Sequence, residues 1–287
     1  TGAQNTAVGR NALGANTTAS NNTAVGYQAL DANTTGIDNV ALGAQALGAN
    51  TTGDQNTGIG LQALEKNTTA DNNTAIGFKA LEETTTGAEN VAVGSNTLTD
   101  NTTGAQNTAV GYNALAANTD SNNTGVGNYS LNANTTGSNN TAIGKNSLLL
   151  STTGNDNTAL GYVALDANTT GYSNVAVGRD ALGGNTTGHR NVAIGQDALL
   201  LSNGTYNVAV GTYALDANTT GGNNVAVGMH ALGSNTTASD NVAVGYNALG
   251  ANTTGTHNVA FGKSALGANT TADKNTAVGY EALDVNT

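Results

Sequence analysis

A period of 17 residues constrains this chain more than any other feature. An asparagine recurs at Asn5, Asn22, Asn39, Asn56, Asn73, Asn90, Asn107, Asn123, Asn140, Asn157, Asn174, Asn191, Asn207, Asn224, Asn241, Asn258 and Asn275. Fourteen of the sixteen intervals are 17 residues long, and the two ending at Asn123 and Asn207 are 16. Units this short and this regular cannot each bury a core alone, so they must stack, and the 287 residues count stacked units instead of globular domains. The expectation is one continuous repeat domain over residues 1–287, without capping units. The copies fill the chain with whole repeats, Thr1 entering the loop that Thr287 leaves, which reads as a mature segment or a piece of a longer array.

Each position can be read as a column through the copies, counting the asparagine as position zero. Position one is only Thr or Val, position two only Ala or Gly, and position three always aliphatic or Phe (Val8, Val25, Leu42, Ile59, Phe261). This two-residue alternation of β-branched and small side chains predicts a short strand. Position four is Gly in all seventeen copies, where a Cβ would be crowded or φ positive, and position eight is Leu in all seventeen. A small residue at position seven (Ala29, Ala63, Thr97, Ser130), the Leu, and often Ala at ten predict a second short strand. A helix there is rejected, because a Gly before it and Asn-Thr-Thr-Gly after it leave too few residues.

The rest of each unit, such as Asn33-Thr34-Thr35-Gly36, reads as a turn, and both 16-residue copies lose their residue in it. The fold expected is therefore all-β, a parallel β-solenoid (β-roll or β-helix) with one coil per repeat and seventeen repeats. At roughly 4.8 Å per coil, the stack would run to roughly 80 Å. Thr at position one and the Val column are expected to point inward with the Leu column. Asn22, Gly26 and Leu30, like Asn39, Gly43 and Leu47 one coil on, are expected to be ladder, bend and core, the Asn column forming stacked amides.

Composition removes several classes of function. There is no Cys, so neither disulfides nor a Cys-based metal site holds the chain. Charged residues make up 9%, with Lys+Arg 8 against Asp+Glu 19, and a net charge of −11 opposes nucleic acid and anionic membrane as partners. No stretch reads as a membrane-inserting segment. His189, His230 and His257 stand in different columns, no carboxylate pair or nucleophile elbow recurs, and no enzyme is expected.

The Asn-Thr/Val-Ala-Val/Ile-Gly motif resembles the head repeats of trimeric autotransporter adhesins. The fuller Asn-Thr-Ala-Val-Gly-Tyr-x-Ala-Leu form is similar to repeats of phage tail-fibre and bacterial surface-fibre proteins, and the resemblance covers the whole chain. It implies a left-handed parallel β-roll, usually trimeric, extracellular, working as a stalk or adhesive head. The adhesin repeats are shorter, and the added Asn-Thr-Thr-Gly turn makes a wider coil here. Position five runs Arg10, Tyr27, Ala44, Leu61, Phe78, Ser95, too irregular for a trimer seam, so a single-chain solenoid joined end to end is favoured and the trimer is the alternative.

Three surface sites are candidates. Asn-Thr-Thr is an N-glycosylation sequon, at Asn16, Asn33, Asn50, Asn67, Asn101, Asn134, Asn168, Asn185, Asn218, Asn235, Asn252 and Asn269, so covalent glycans on Asn or Thr of this turn are expected, against the plainer reading of good turn formers. Calcium, the one cofactor weighed and not a required one, would use Asp31, Asp166, Asp216 and Asp284 at position nine and Asp38, Asp156 and Asp240 at sixteen. Both columns are discontinuous, and a solvated acidic surface is the plainer reading. Ice binding is the weakest candidate, because Val replaces Thr at position one in Val175, Val192 and Val208. The function expected is an extracellular or cell-surface structural fibre or stalk, a polar, glycosylated surface or biofilm filament that self-associates end to end. A carbohydrate- or surface-binding head of a trimeric adhesin or tail fibre is the alternative.

Overall fold

The computed structural model describes residues 2–285 and is all-β, a solenoid of parallel strands with no helix among those residues. The chain divides into two compact units, Thr1–Asn140 and Thr141–Thr287. The first carries eight three-residue strands, β1 (Thr6–Val8) to β8 (Thr124–Val126), and the second nine, β9 (Thr141–Ile143) to β17 (Thr276–Val278). Within each unit successive strands pair in parallel with equal positions opposed, as in Thr57↔Thr74, Gly58↔Ala75 and Ile59↔Ile76, or Val225↔Val242, Ala226↔Ala243 and Val227↔Val244. The period of the sequence is thus the period of the coil, and β-ladder spacing sets the distance between copies.

The expected alternation along the strand is present, but its faces are reversed. Position two points in: Ala24, Ala41, Ala75 and Ala92 are fully buried. Positions one and three point out, so that Val40 is 38% and Leu42 48% exposed. Neither Thr at position one nor the Val column lines the core. The cause is room. A Cβ built on Gly58 meets the Ala63 carbonyl at 3.1 Å and Leu47 Cγ at 3.3 Å, so the interior opposite the Leu column takes nothing larger than Ala. One Leu per coil fills it, and Leu30, Leu47, Leu64 and Leu81 are fully buried.

No second strand follows the glycine. Positions five to ten form a chain of turns, because position six has φ between 50° and 60° and the Leu at eight between 48° and 55° in every copy. Two neighbouring side chains, Ala29 and Leu30 for example, can therefore both point inward, which an extended strand forbids. Backbone rungs still run between coils through these turns, as from Leu30 N–H to the Ala46 carbonyl (3.1 Å) and Ala32 N–H to the Gly48 carbonyl (3.1 Å). A left-handed leucine costs roughly 1–2 kcal/mol. Complete burial of its side chain contributes roughly 1.5–3 kcal/mol, which offsets the strain. Left-handed backbone of residues other than Gly occurs at positions six, eight and sixteen, mostly on Asn, Gln and Asp outside the Leu column, with Val163 (φ 50°) a β-branched exception.

Position four satisfies both expectations for a glycine: φ lies between 129° and 148° in all seventeen copies, and a Cβ on Gly77 would stand 2.3 Å from the carbonyl oxygen of Gly94 in the next coil.

Two asparagine columns run through the interior. At position zero the amides bond chiefly to backbone, and Asn90 (3.2 Å), Asn224 (3.2 Å) and Asn275 (3.1 Å) also donate to the preceding amide of the column. Asn39 Oδ1 accepts from the Asn56 N–H (2.9 Å), and Asn39 Nδ2 donates to the Gly53 carbonyl (2.8 Å). The stacked amide ladder expected there lies instead at position eleven, where Asn67 Nδ2 donates to Asn50 Oδ1 (2.8 Å) and Asn50 Nδ2 to Asn33 Oδ1 (2.9 Å). It stops where the next copy lacks an amide: Thr84 follows Asn67, whose Oδ1 is left without a partner.

Candidate functional site

The outward face of the strands is the largest repeated feature that the fold leaves open. Positions one and three carry no charged residue in any copy, and position three is exposed in both units, as at Leu42, Ile76 and Val110 in the first and Ile143, Leu160, Ile194 and Phe261 in the second. Exposed rings at position five border it: Tyr27, Phe78 and Tyr112 in the first unit, Tyr162, Tyr246 and Tyr280 in the second. Over the eight strands of the first unit this strip is about 38 Å long and about 10 Å wide. Position three makes one side of the strip apolar, while position one is Thr in six of the eight strands of the first unit, so hydroxyl-bearing side chains line the other. The strip was missed from sequence because alternation fixes that two faces exist and not which one is inside. The restriction of position two to Ala and Gly was the signal that could have found it.

The sequon asparagines are not on the surface. Asn33, Asn50, Asn67, Asn101, Asn134, Asn168, Asn185, Asn218, Asn235, Asn252 and Asn269 are fully buried, and Asn16, in the first copy, is half-buried. Their Nδ2, the atom a glycan would occupy, is engaged: in Asn50 it donates both to Asn33 Oδ1 (2.9 Å) and to the Gly53 carbonyl (3.0 Å), and Asn16 Nδ2 donates to the Ala19 carbonyl (3.3 Å). A sugar there would remove the ladder that closes the turn, which corrects the expectation of Asn-linked glycans at these positions. The first threonine of the turn is also used, as in Thr51 Oγ1 donating to the Thr68 carbonyl (2.9 Å). The second is exposed at Thr35, Thr52, Thr69, Thr170 and Thr237, and the first is exposed as well at Thr17, Thr102 and Thr219.

The acidic candidates lie apart. Among the described residues no group of three or more His, Cys, Asp or Glu is placed to hold a metal ion. Asp31 accepts from Gln28 Nε2 (3.3 Å) and borders a cleft of about 200 Å³ with Gln45, Gly48 and Glu65. That cleft exists because Gly48 stands between Asp31 and Glu65 in the position-nine column. Asp38, Asp156 and Asp240 share the left-handed position sixteen, and Asp240 accepts from Asn223 Nδ2 (3.1 Å). The calcium candidates stand as separate carboxylates, since no two of them occupy adjacent coils of one column.

Hydrogen bonds from the Thr256 backbone and hydroxyl hold the Asp273 carboxyl below the ordinary carboxylate value, whereas Asp166 and Asp216 shift the other way. Burial pushes both above the ordinary carboxylate value; Asp180 adds repulsion at Asp166, while at Asp216 hydrogen bonding to its own backbone and the nearby His230 oppose the rise. A native state that holds these protons more tightly than the unfolded chain loses stability as pH rises from below the usual carboxylate value through the raised one. Asp166→Asn with Asp216→Asn is therefore expected to raise the thermal midpoint by about 1–2 °C at pH 7, discounted for partial exposure. The gain should shrink at pH 3. An equal gain at both pH values would show that ionisation is not the cause.

The histidines do not converge on a metal either. His189 stacks on Tyr172, His230 stacks on Tyr213, and His257 lies 3.9 Å from Asp240. No helix of the described residues is long and apolar enough to cross a membrane. Comparison of the chain with protein-family models gives no match, and comparison with curated proteins gives none.

Proposed function

We propose that the protein is a structural element of an extracellular fibre or stalk, built from copies of itself that pack through their outward strand faces. The observation that carries this is the uncharged double column left open along each unit, apolar at position three and Thr or Val at position one. A second copy suits it better than an unrelated partner, since only a surface with the same coil period can match every rung at the ladder spacing. Three such strips facing a common axis is the arrangement that the resemblance to trimeric adhesin heads implies, and the outward position-three column supports the trimer over purely end-to-end joining. A repetitive β-solenoid is an architecture typical of structural proteins. With its carboxylates dispersed, His189 and His230 on aromatic rings and His257 beside Asp240, the chain reads as scaffold and not as an enzyme.

Light scattering after gel filtration tests this. The chain is expected to elute at about three times its 28.2 kDa and to fall to the monomer when Leu42→Lys, Ile76→Lys and Val110→Lys are combined, with β circular dichroism kept. Each lysine would place an unpaired charge in a desolvated face, weakening association by about 100-fold or more. Wild-type protein that stays at 28.2 kDa at about 100 μM would sink the face-to-face reading. Filaments in electron micrographs of the triple-lysine variant would favour end-to-end joining instead.

A further inference from the structure

The second of the two short copies, residues 191–206, breaks the repeat in a way that gathers planar side chains from three successive coils. Tyr206, the residue before Asn207, has φ 60° and stands in the column occupied by Arg190 (φ 58°) one coil before. Backbone rungs fix these coils, from Arg190 N–H to the Tyr172 carbonyl (3.1 Å) and from Tyr206 N–H to the His189 carbonyl (3.2 Å). On that frame the Tyr172 and His189 rings stack nearly parallel, 8° apart with centroids at 4.5 Å, and Tyr206 meets His189 edge-on at 5.9 Å. The Arg190 guanidinium lies 5.4 Å from the centroids of both Tyr172 and Tyr206 and donates to the Tyr206 hydroxyl.

The charge of Arg190 is what sets the cluster apart. In a chain of net charge −11, the other arginine of this region, Arg179, faces Asp180 (3.4 Å) and Asp197 (3.6 Å), whereas no carboxylate among the described residues lies within ion-pair distance of Arg190. A guanidinium offers five N–H groups, and the Tyr206 hydroxyl takes one. Two aromatic rings hold its plane, so little side-chain freedom remains to be lost when an anion docks. In the next coil Gly222 carries no side chain, and Asn223, which follows Tyr206 in the Arg190 column, donates its amide to Asp240 Oδ1 (3.1 Å).

We propose that Tyr172, His189, Arg190 and Tyr206 form a binding site for a carboxylate-bearing sugar ring, of the uronic or sialic acid class, at the end of a glycan. The guanidinium provides the planar fork that pairs with a carboxylate, and the aromatic faces provide the flat apolar surface on which the C–H face of a pyranose rests. One unpaired cation matches one carboxylate. A nucleic acid would bring a phosphate at every nucleotide against a net-negative protein, and a phosphopeptide would leave the stacked rings without a role. The site is independent of how copies associate, since neither the outward position-one nor position-three side chains take part in it.

Saturation-transfer NMR and calorimetry with methyl α-glucuronide and methyl α-glucoside test it on the full chain. The glucuronide is expected to bind in the millimolar range, and the glucoside about tenfold more weakly. Arg190→Gln should bring the glucuronide down to the glucoside level, while Tyr172→Ala should weaken both, with the thermal midpoint of each variant showing that it is folded. Equal binding of the two sugars, no saturation by about 50 mM glucuronide, or an Arg190→Gln variant that binds unchanged would each overturn the site. Competition by acetate as strong as by glucuronide would overturn the sugar assignment.

Discussion

Gly77→Ala is expected to destabilise the first unit by at least about 3 kcal/mol, shown as a large drop in its urea midpoint. Two independent effects act at that atom. The glycine has φ 141°, a region that L side chains rarely adopt, and the added Cβ would stand 2.3 Å from the Gly94 carbonyl oxygen and 2.6 Å from its carbon. The neighbour that must give way is backbone, held by the rung from Gly94 N–H to the Ile76 carbonyl (2.8 Å), so relief of the clash opens the stack itself. Gly48→Ala is the control. Position nine has no positive φ, its nearest contacts would be carbonyl oxygens at 3.3 and 3.6 Å, and the change is expected to stay within about 1 kcal/mol. Equal midpoints for Gly77→Ala and Gly48→Ala would show that position four is glycine for some other reason.

That contrast marks where the sequence was legible and where it was not. The coil, its period and the need for glycine at position four follow from columns alone, since a residue type repeated at one spacing in seventeen copies reports one environment. The direction of the strand faces did not follow, because Val and Ile look like core residues wherever they occur. Only the size limit at position two, seen at Gly58 against Leu47 and Ala63, decides that they are outside. The turn chain after the glycine was hidden for a different reason. Leucine is a poor left-handed residue, and its φ near 50° is imposed by the inter-coil rungs and the burial of its side chain, both non-local. The position-eleven asparagines misled most. The Asn-Thr-Thr pattern describes a covalent acceptor and a buried amide ladder equally well, and the distinction lies in which atoms Nδ2 faces. The cluster at Arg190 was visible only as a missing residue in the copy that follows it.

The second large effect lies in the other asparagine column, at position zero. Asn56 is fully buried, accepts from the Asn73 N–H at Oδ1 (3.0 Å) and donates from Nδ2 to the Ala70 carbonyl (2.8 Å). Asn56→Ala strands both backbone groups in a dry column and leaves a small void, a loss of about 3–5 kcal/mol. Asn56→Asp isolates the donor. An aspartate keeps the acceptor for Asn73 but turns an oxygen toward the Ala70 carbonyl, so the folded chain favours a protonated carboxyl that can donate in place of Nδ2. Its native pKa is therefore raised above the unfolded value, and the sign follows: the variant is most stable below about pH 3.9 and loses stability as pH rises through the native value. Thermal midpoints from pH 3 to 7 should fall steeply for Asn56→Asp and run parallel to wild type for the same exchange at exposed Asn72. A pH-independent Asn56→Asp would mean that the buried amide donates nothing the coil depends on, and that the column is kept for its shape alone.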